Sequence, residues 1–205
     1  MNTEILISFA FAVAALAISP GPDNIYVLMQ SLVNGVSYGL ATVAGLMTGC
    51  LVHTTLIAYG VSLIIRENET LFLILRILGA LYLLYLAYRV YREPPADLMN
   101  NTSVNKKSKW SLFKQGFVMN VINPKVSIFF LALFPGFLYS KTISTVTQFY
   151  VLGFIFILVS FIIFGLIAVL SGYISEYLKT NKKISLVLKW LQIVVFIAIA
   201  IIILL

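Results

Sequence analysis

Six stretches of the chain are apolar over about 20 residues or more, near positions 5–30, 37–65, 70–91, 113–138, 145–174 and 184–205, with polar residues gathered between them. About 20 residues of helix cross the ~30 Å hydrocarbon core of a bilayer. The pattern therefore predicts six transmembrane helices. The period-two alternation of an outer-membrane barrel is missing, and uninterrupted runs such as FIFILVSFIIFGLIAVL fit helix. The predicted fold class is an all-α integral membrane protein.

Two of the six stretches are interrupted. ISPGPDNIY, residues 18–26, sets Pro20, Gly21 and Pro22 inside the first, and VINPKVS, residues 121–127, sets Pro124 inside the fourth. Proline removes an N–H and clashes with the preceding turn, so helices one and four should break there. Carbonyls freed within hydrocarbon need partners, and irregular backbone is tolerated only against protein or a watery cavity. The polar, proline-containing stretch 93–112 then acts as a linker between three-helix halves, 1–92 and 113–205. Because three is odd, a second copy of such a unit enters the membrane in the opposite sense. Ile18-Ser19-Pro20 aligns with Ile122-Asn123-Pro124 at an offset of 104 residues, and LRILGALYLLYLA aligns with LKWLQIVVFIAIA at 113, placing Arg76 opposite Lys189. An inverted repeat with broken first and fourth helices is the expected architecture, and paired breaks of this kind point to a midplane binding site.

Composition agrees: 61% of the 205 residues are hydrophobic and 10% charged, against about a quarter charged in soluble domains. The net charge of +7 sits in short loops, which argues for topology and against nucleic acid. The connection after helix three carries Arg89, Arg92, Lys106, Lys107, Lys109 and Lys114, and that before helix six carries Lys179, Lys182, Lys183 and Lys189; the other side offers Arg66, Arg76 and Lys141. The positive-inside rule places the basic side in the cytoplasm and both termini outside. The N-terminus has no basic region before its apolar run, so helix one is expected to stay in the protein. The Asn-x-Thr/Ser matches in the linker face the wrong side for glycosylation. A single cysteine, Cys50, excludes an internal disulfide and cysteine-based metal clusters.

The chemistry concentrates at the breaks. Asp23 and Lys125 each lie eleven residues from a cytoplasmic helix end, about 16 Å along the axis, which sets them level near midplane. A charge at that depth costs about 2.5–3.5 kcal/mol on the insertion scale and needs a partner or a cavity. The two could form a permanent ion pair, or they could receive a zwitterion, its carboxylate toward Lys125 and its ammonium toward Asp23. The second reading is the stronger, because intramembrane ionisable residues mark pathways. Asn24, Asn120 and Asn123 can serve both ends of an amino acid or cap the broken helices. His53 is a secondary candidate as a proton shuttle, although a histidine that faces other helices through a hydrogen bond is the stronger reading. Ala41, Gly45 and Gly49 form a small-residue stripe suited to close packing against helix one or a second subunit, so a homodimer is an admissible assembly.

The segments ISPGPDNIYVL, GLATVAGLMTGCLVH, LRILGALYLLYLAYR and FKQGFVMNVINPKVSIFFLALFPGF together resemble the LysE/RhtB family of bacterial amino-acid exporters over essentially the whole chain. The family's PGP motif falls on Pro20, Gly21 and Pro22, and its NPK motif on Asn123, Pro124 and Lys125. The resemblance implies an inner-membrane carrier of inverted three-helix repeats, without cofactor, exporting amino acids or close derivatives at the expense of the proton gradient. Asp23 is then expected to alternate between a proton and the substrate ammonium. The substrate's identity does not follow from membership.

Other classes fare worse. A divalent-metal exporter needs several hard or borderline ligands, and only Asp23, His53 and Cys50 are at hand. An intramembrane protease needs a nucleophile with a base, or paired aspartates. A membrane scaffold has no use for midplane charges. No nucleotide-binding loop is present.

Overall fold

The structure, a computed structural model, describes residues 2–61, 69–92, 107–174 and 182–204. Among these it is helical throughout, without strands. In chain order the helices are α1 (Thr3–Ile18), α2 (Pro22–Asn34), α3 (Val36–Leu56), α4 (Glu69–Arg92), α5 (Lys109–Val121), α6 (Pro124–Leu133), α7 (Thr145–Val169) and α8 (Lys182–Leu204). A π-helical turn, Ile57–Val61, follows α3, and a 3₁₀ turn, Phe134–Phe137, follows α6. The stretches α3, α4, α7 and α8 are each long and apolar enough to cross a membrane, whereas α1 with α2 and α5 with α6 pass only as pairs bent by 62° and 50°. Among the described residues there are therefore four to six candidate spans.

Both bends fall where proline interrupts the sequence. Ser19, ahead of Pro20, is held out of the helical region (φ −59°, ψ 119°), and the extended Gly21 leads into Pro22, which opens α2 at a position where its missing N–H costs nothing. In the second bend Asn123 is the N-cap, its Oδ1 accepting from the Lys125 backbone N–H at 3.0 Å, with Pro124 next in line. Of the expected linker, residues 93–106 lie outside the described residues, and α5 begins at Lys109, four residues before the apolar run. Ser108 accounts for the early start: its Oγ accepts from the Ser111 N–H at 3.2 Å and caps the helix.

Antiparallel α4 and α8 pack along their lengths, α3 lies along α5, and α1 packs on α7. The α3–α5 contact is where the small-residue stripe goes. A Cβ on Gly45 would overlap the Phe113 backbone, one on Gly49 would crowd Asn120, and one on Gly116 of α5 would overlap the Thr42 carbonyl. The stripe therefore meets α5, in place of the helix-one or second-subunit partner expected from sequence. Small residues let two backbones touch, which drives association when lipid offers no hydrophobic gain.

Two bonds cross the α4–α8 pair at opposite ends. The Arg76 guanidinium donates through Nε to the Ile203 carbonyl in the last turn of α8 (2.5 Å), and Lys189 donates through Nζ to the Tyr91 carbonyl in the last turn of α4 (2.9 Å). Each cation meets carbonyls that a helix C-terminus leaves without internal partners. Gln148 plays a comparable part in the loop before α7: its Oε1 accepts from the N–H groups of Tyr139 and Ser140, and its Nε2 donates to the carbonyls of Ser140 and Ile143. Asn2 adds a backbone bond to the Tyr139 carbonyl, which sets the N-terminus beside this loop.

Two clusters of buried apolar residues fill the interior. The larger holds Phe9, Phe129, Phe130, Phe134, Phe149 and Phe156; the smaller, around Val27, Val43, Leu46 and Phe164, packs α2, α3 and α7 together. The site lies between them.

Candidate functional site

The two bends meet. Gly21, Pro22, Asp23 and Asn24 from the first, and Asn123 and Lys125 from the second, line one cavity together with Asn120. Pro20 and Pro124 shape the breaks without lining it. His53 stands behind the wall, its Nε2 3.1 Å from the Asn120 carbonyl and its ring 5.4 Å from that of Phe130. A carbonyl can only accept, so this nitrogen carries the proton.

Each half of the chain completes the other's break. Asn123 donates through Nδ2 to Asp23 Oδ2 at 2.7 Å while its Oδ1 caps α6, so one side chain pins both bends. Lys125 Nζ donates to the carbonyls of Ser19 (3.2 Å) and Leu16 (3.4 Å) at the end of α1, and lies 5.3 Å from the centre of the Phe196 ring. Asn24 Nδ2 donates back to the Ala17 carbonyl at 2.7 Å. The α1 carbonyls freed by the SPGP break thus go to Lys125 and Asn24, which meets the demand that hydrocarbon makes of interrupted helices. Among the described residues no ion pair joins Asp23 to Lys125. The carboxylate is held by an amide and the ammonium by carbonyls, so the two opposite charges share a cavity within electrostatic reach but without direct contact.

The remaining wall comes from residues that sequence reasoning did not select. Leu46, Met47 and Cys50 enter from α3, and Phe156, Ser160 and Phe164 from α7. The α7 residues recur every four positions and so share a helix face, but from Val151 on α7 is apolar around its whole circumference, and only Ser160 breaks the run. The cavity holds about 40 Å³, room for roughly three waters and too little for an amino acid. Binding one requires the walls to part. Ser19 Oγ and Asn120 Oδ1 are buried beside it without a hydrogen-bond partner among the described residues; such groups are costly unless another state satisfies them.

The family profile described as LysE type translocator matches residues 14–205, which include both bends and every residue of the site. The chain belongs to the LysE family. Relatives of this LysE-family chain include the homoserine/homoserine lactone efflux protein of Salmonella typhimurium, 30% identical over 90% of this chain and 89% of that one. The leucine efflux protein of an Enterobacter species is 27% identical over 83% and 81%. No solved structure matches. With the spans described above, membership in LysE makes the chain a multi-pass membrane protein.

Proposed function

We propose that this chain is a secondary carrier in the bacterial inner membrane that exports neutral amino acids or close derivatives in exchange for protons, built from two inverted three-helix halves (1–92 and 113–205) joined by the 93–112 linker. The observation that carries the reading is the shared cavity in which Asp23 and Lys125 lie without forming a direct ion pair. A zwitterion supplies what each lacks: its carboxylate takes the Lys125 ammonium and its ammonium takes Asp23, with Asn24, Asn120 and Asn123 as adaptable neighbours. Leu46, Met47, Phe156 and Phe164 offer the side chain an apolar wall with one hydroxyl, Ser160. Such a wall accepts a leucine-like or homoserine-like side chain and gives no second carboxylate to a basic one. One carboxylate, one ammonium and three amides suit a zwitterion better than a divalent cation, which wants several anionic oxygens or imidazoles. The relatives' efflux activities point the same way.

Equivalent proline bends, the reciprocal bonds of Arg76 and Lys189, and the matching α3–α5 and α1–α7 packings support an inverted arrangement with six spans. A proton moving inward releases about 2.3 kcal/mol per 100 mV, a roughly fifty-fold concentration ratio. Inside-out vesicles carrying the protein should therefore accumulate labelled leucine or homoserine, and a protonophore should abolish the accumulation. Vesicles that take up neither, with or without a gradient, overturn the reading.

Two further outcomes belong to it. Lys125→Ala is expected to raise KM about tenfold or more, since a hydrogen bond to a charged group contributes about 1.5–3 kcal/mol; an unchanged KM in vesicle uptake would reduce Lys125 to a cap for α1. The excess of basic residues in the loops after Tyr88 and before Trp190 predicts both termini outside. A reporter fused after Leu205 that works only in the cytoplasm should be silent, and activity there would reverse the orientation.

A further inference from the structure

On α2, the residues Asp23, Tyr26, Gln30 and Asn34 fall at spacings of three, four and four, one face of a helix. That face runs from the cavity to the α2–α3 turn at Gly35, and it is polar although it packs inward. Gln30 is 0% exposed and Ser31 4%. Asn34 Nδ2 donates to Gln30 Oε1 at 3.0 Å and Gln30 lies beside the Tyr26 hydroxyl, but Gln30 Nε2, the Tyr26 hydroxyl and the Ser31 hydroxyl are buried without a well-formed hydrogen bond among the described residues. Packing alone does not explain three polar groups so poorly bonded within two turns, because an apolar side chain of similar shape would pack as well without losing hydrogen bonds.

The corresponding half-helix on the other side of the site is built differently. At the 104-residue offset Tyr26, Gln30 and Asn34 correspond to Phe130, Phe134 and Leu138. Phe130 and Phe134 are stacked with centroids 4.2 Å apart, and Phe9 meets Phe134 edge-on at 5.0 Å. Phe130 and Phe134 are 1% and 0% exposed. One half-helix presents hydrogen-bonding groups toward the interior, and the other presents a dry aromatic block.

We infer that the inner face of α2 is the wall of the path by which water and polar substrate reach Asp23 from the membrane side of Gly35, with Gln30 as the residue that closes it. This inference rests on the carrier reading. In the state described here Gln30 is buried, and α2 packs against α3 and α7. When α2 swings away, the free amide and hydroxyls gain water or the polar end of the substrate, so the groups left unsatisfied in the closed state favour its opening. The aromatic block lacks such groups, and opening it exposes only apolar rings. The path from the Gly35 side is thus the one prepared for polar traffic before substrate arrives.

Sided cysteine labelling of the full chain in vesicles tests this. Lys107→Cys reports the Gly35 side, since neighbouring Lys109 lies over the Tyr38 ring, and Lys141→Cys reports the other. The parent chain with Cys50 gives the background. Gln30→Cys and Asn34→Cys should react with a small membrane-impermeant thiol reagent from the Lys107 side at least tenfold faster than from the Lys141 side, and at least tenfold faster than Phe134→Cys. Labelling of Gln30→Cys at the background rate, or from the Lys141 side, overturns the path. Gln30→Leu supplies an independent measure: efflux should fall tenfold or more while the thermal midpoint holds or rises. Unchanged efflux, or a fall in efflux together with a lowered midpoint, makes Gln30 structural and overturns its role. Labelling needs no transported substrate, so sided labelling in a chain that moves neither leucine nor homoserine would retract the carrier reading and leave the path standing.

Discussion

Asp23→Asn is expected to reduce proton-driven accumulation to nothing while full-length, folded protein remains in the membrane. The fold should survive because an amide oxygen can still accept from Asn123 Nδ2, which at 2.7 Å is the bond that holds Asp23 in place. An amide cannot bind and release a proton, however, and it offers the substrate ammonium a dipole where it had a charge. Exchange of labelled for unlabelled substrate across the membrane, which needs no net proton movement, should persist at a reduced rate. The comparison of accumulation with exchange in the same vesicles therefore separates coupling from binding. If Asp23→Asn still concentrates substrate in a protonophore-sensitive way, the coupling group lies elsewhere. His53 is the next candidate, through its contact with Asn120.

The largest structural effect is expected at the seam between α3 and α5. Gly45→Leu should leave little or no folded protein in detergent extracts, because its Cβ would overlap the Phe113 carbonyl and crowd the Phe117 backbone nitrogen. Backbone cannot step aside as a flexible side chain can, so the helices must separate along their contact. Overpacking of a tight interior typically costs about 1–3 kcal/mol and sometimes more, and here the displaced element also carries Asn120 and leads into Asn123. Gly165 in α7 is the control: nothing lies within 4 Å of the Cβ position, so Gly165→Leu should be recovered like the parent. Size-exclusion profiles of the variants make the comparison, and equal recovery of both would show that the seam is looser than its geometry.

The bends were legible in the sequence because proline acts locally: SPGP and NPK interrupt helix wherever they fall, and their depth in two apolar runs marked Asp23 and Lys125. Which groups would satisfy the interrupted backbone was not legible. That Lys125 would take the carbonyls of Leu16 and Ser19, and that Asn123 would reach Asp23, are contacts between residues about 100 positions apart. No local pattern encodes them. The α7 wall was hidden for another reason: where both lipid and protein interior are apolar, hydropathy does not tell the faces of Thr145–Val169 apart, and only Gln148 and Ser160, about three turns apart, mark the inward one. Gln148 looked like an ordinary polar residue near a helix start, and its fourfold grip on the preceding loop is visible only once the loop is folded. The stripe of Ala41, Gly45 and Gly49 announced close packing but not its partner, since small residues describe a surface without naming what lies against it.

The bonds across α4 and α8 bear on how the protein is made. When α4 enters the bilayer, the cation that will take the Tyr91 carbonyl has not been synthesised: Lys189 emerges about a hundred residues later, in the last helix. Arg76 waits as long for Ile203. During translation, which completes N-terminal parts first, α1 to α4 are therefore made before the Arg76 guanidinium and the Tyr91 carbonyl can meet these partners. The arrival of α8 satisfies both together. The pairing of α4 with α8 is thus closed by residues far apart in synthesis, so it forms only after most of the described chain has been made.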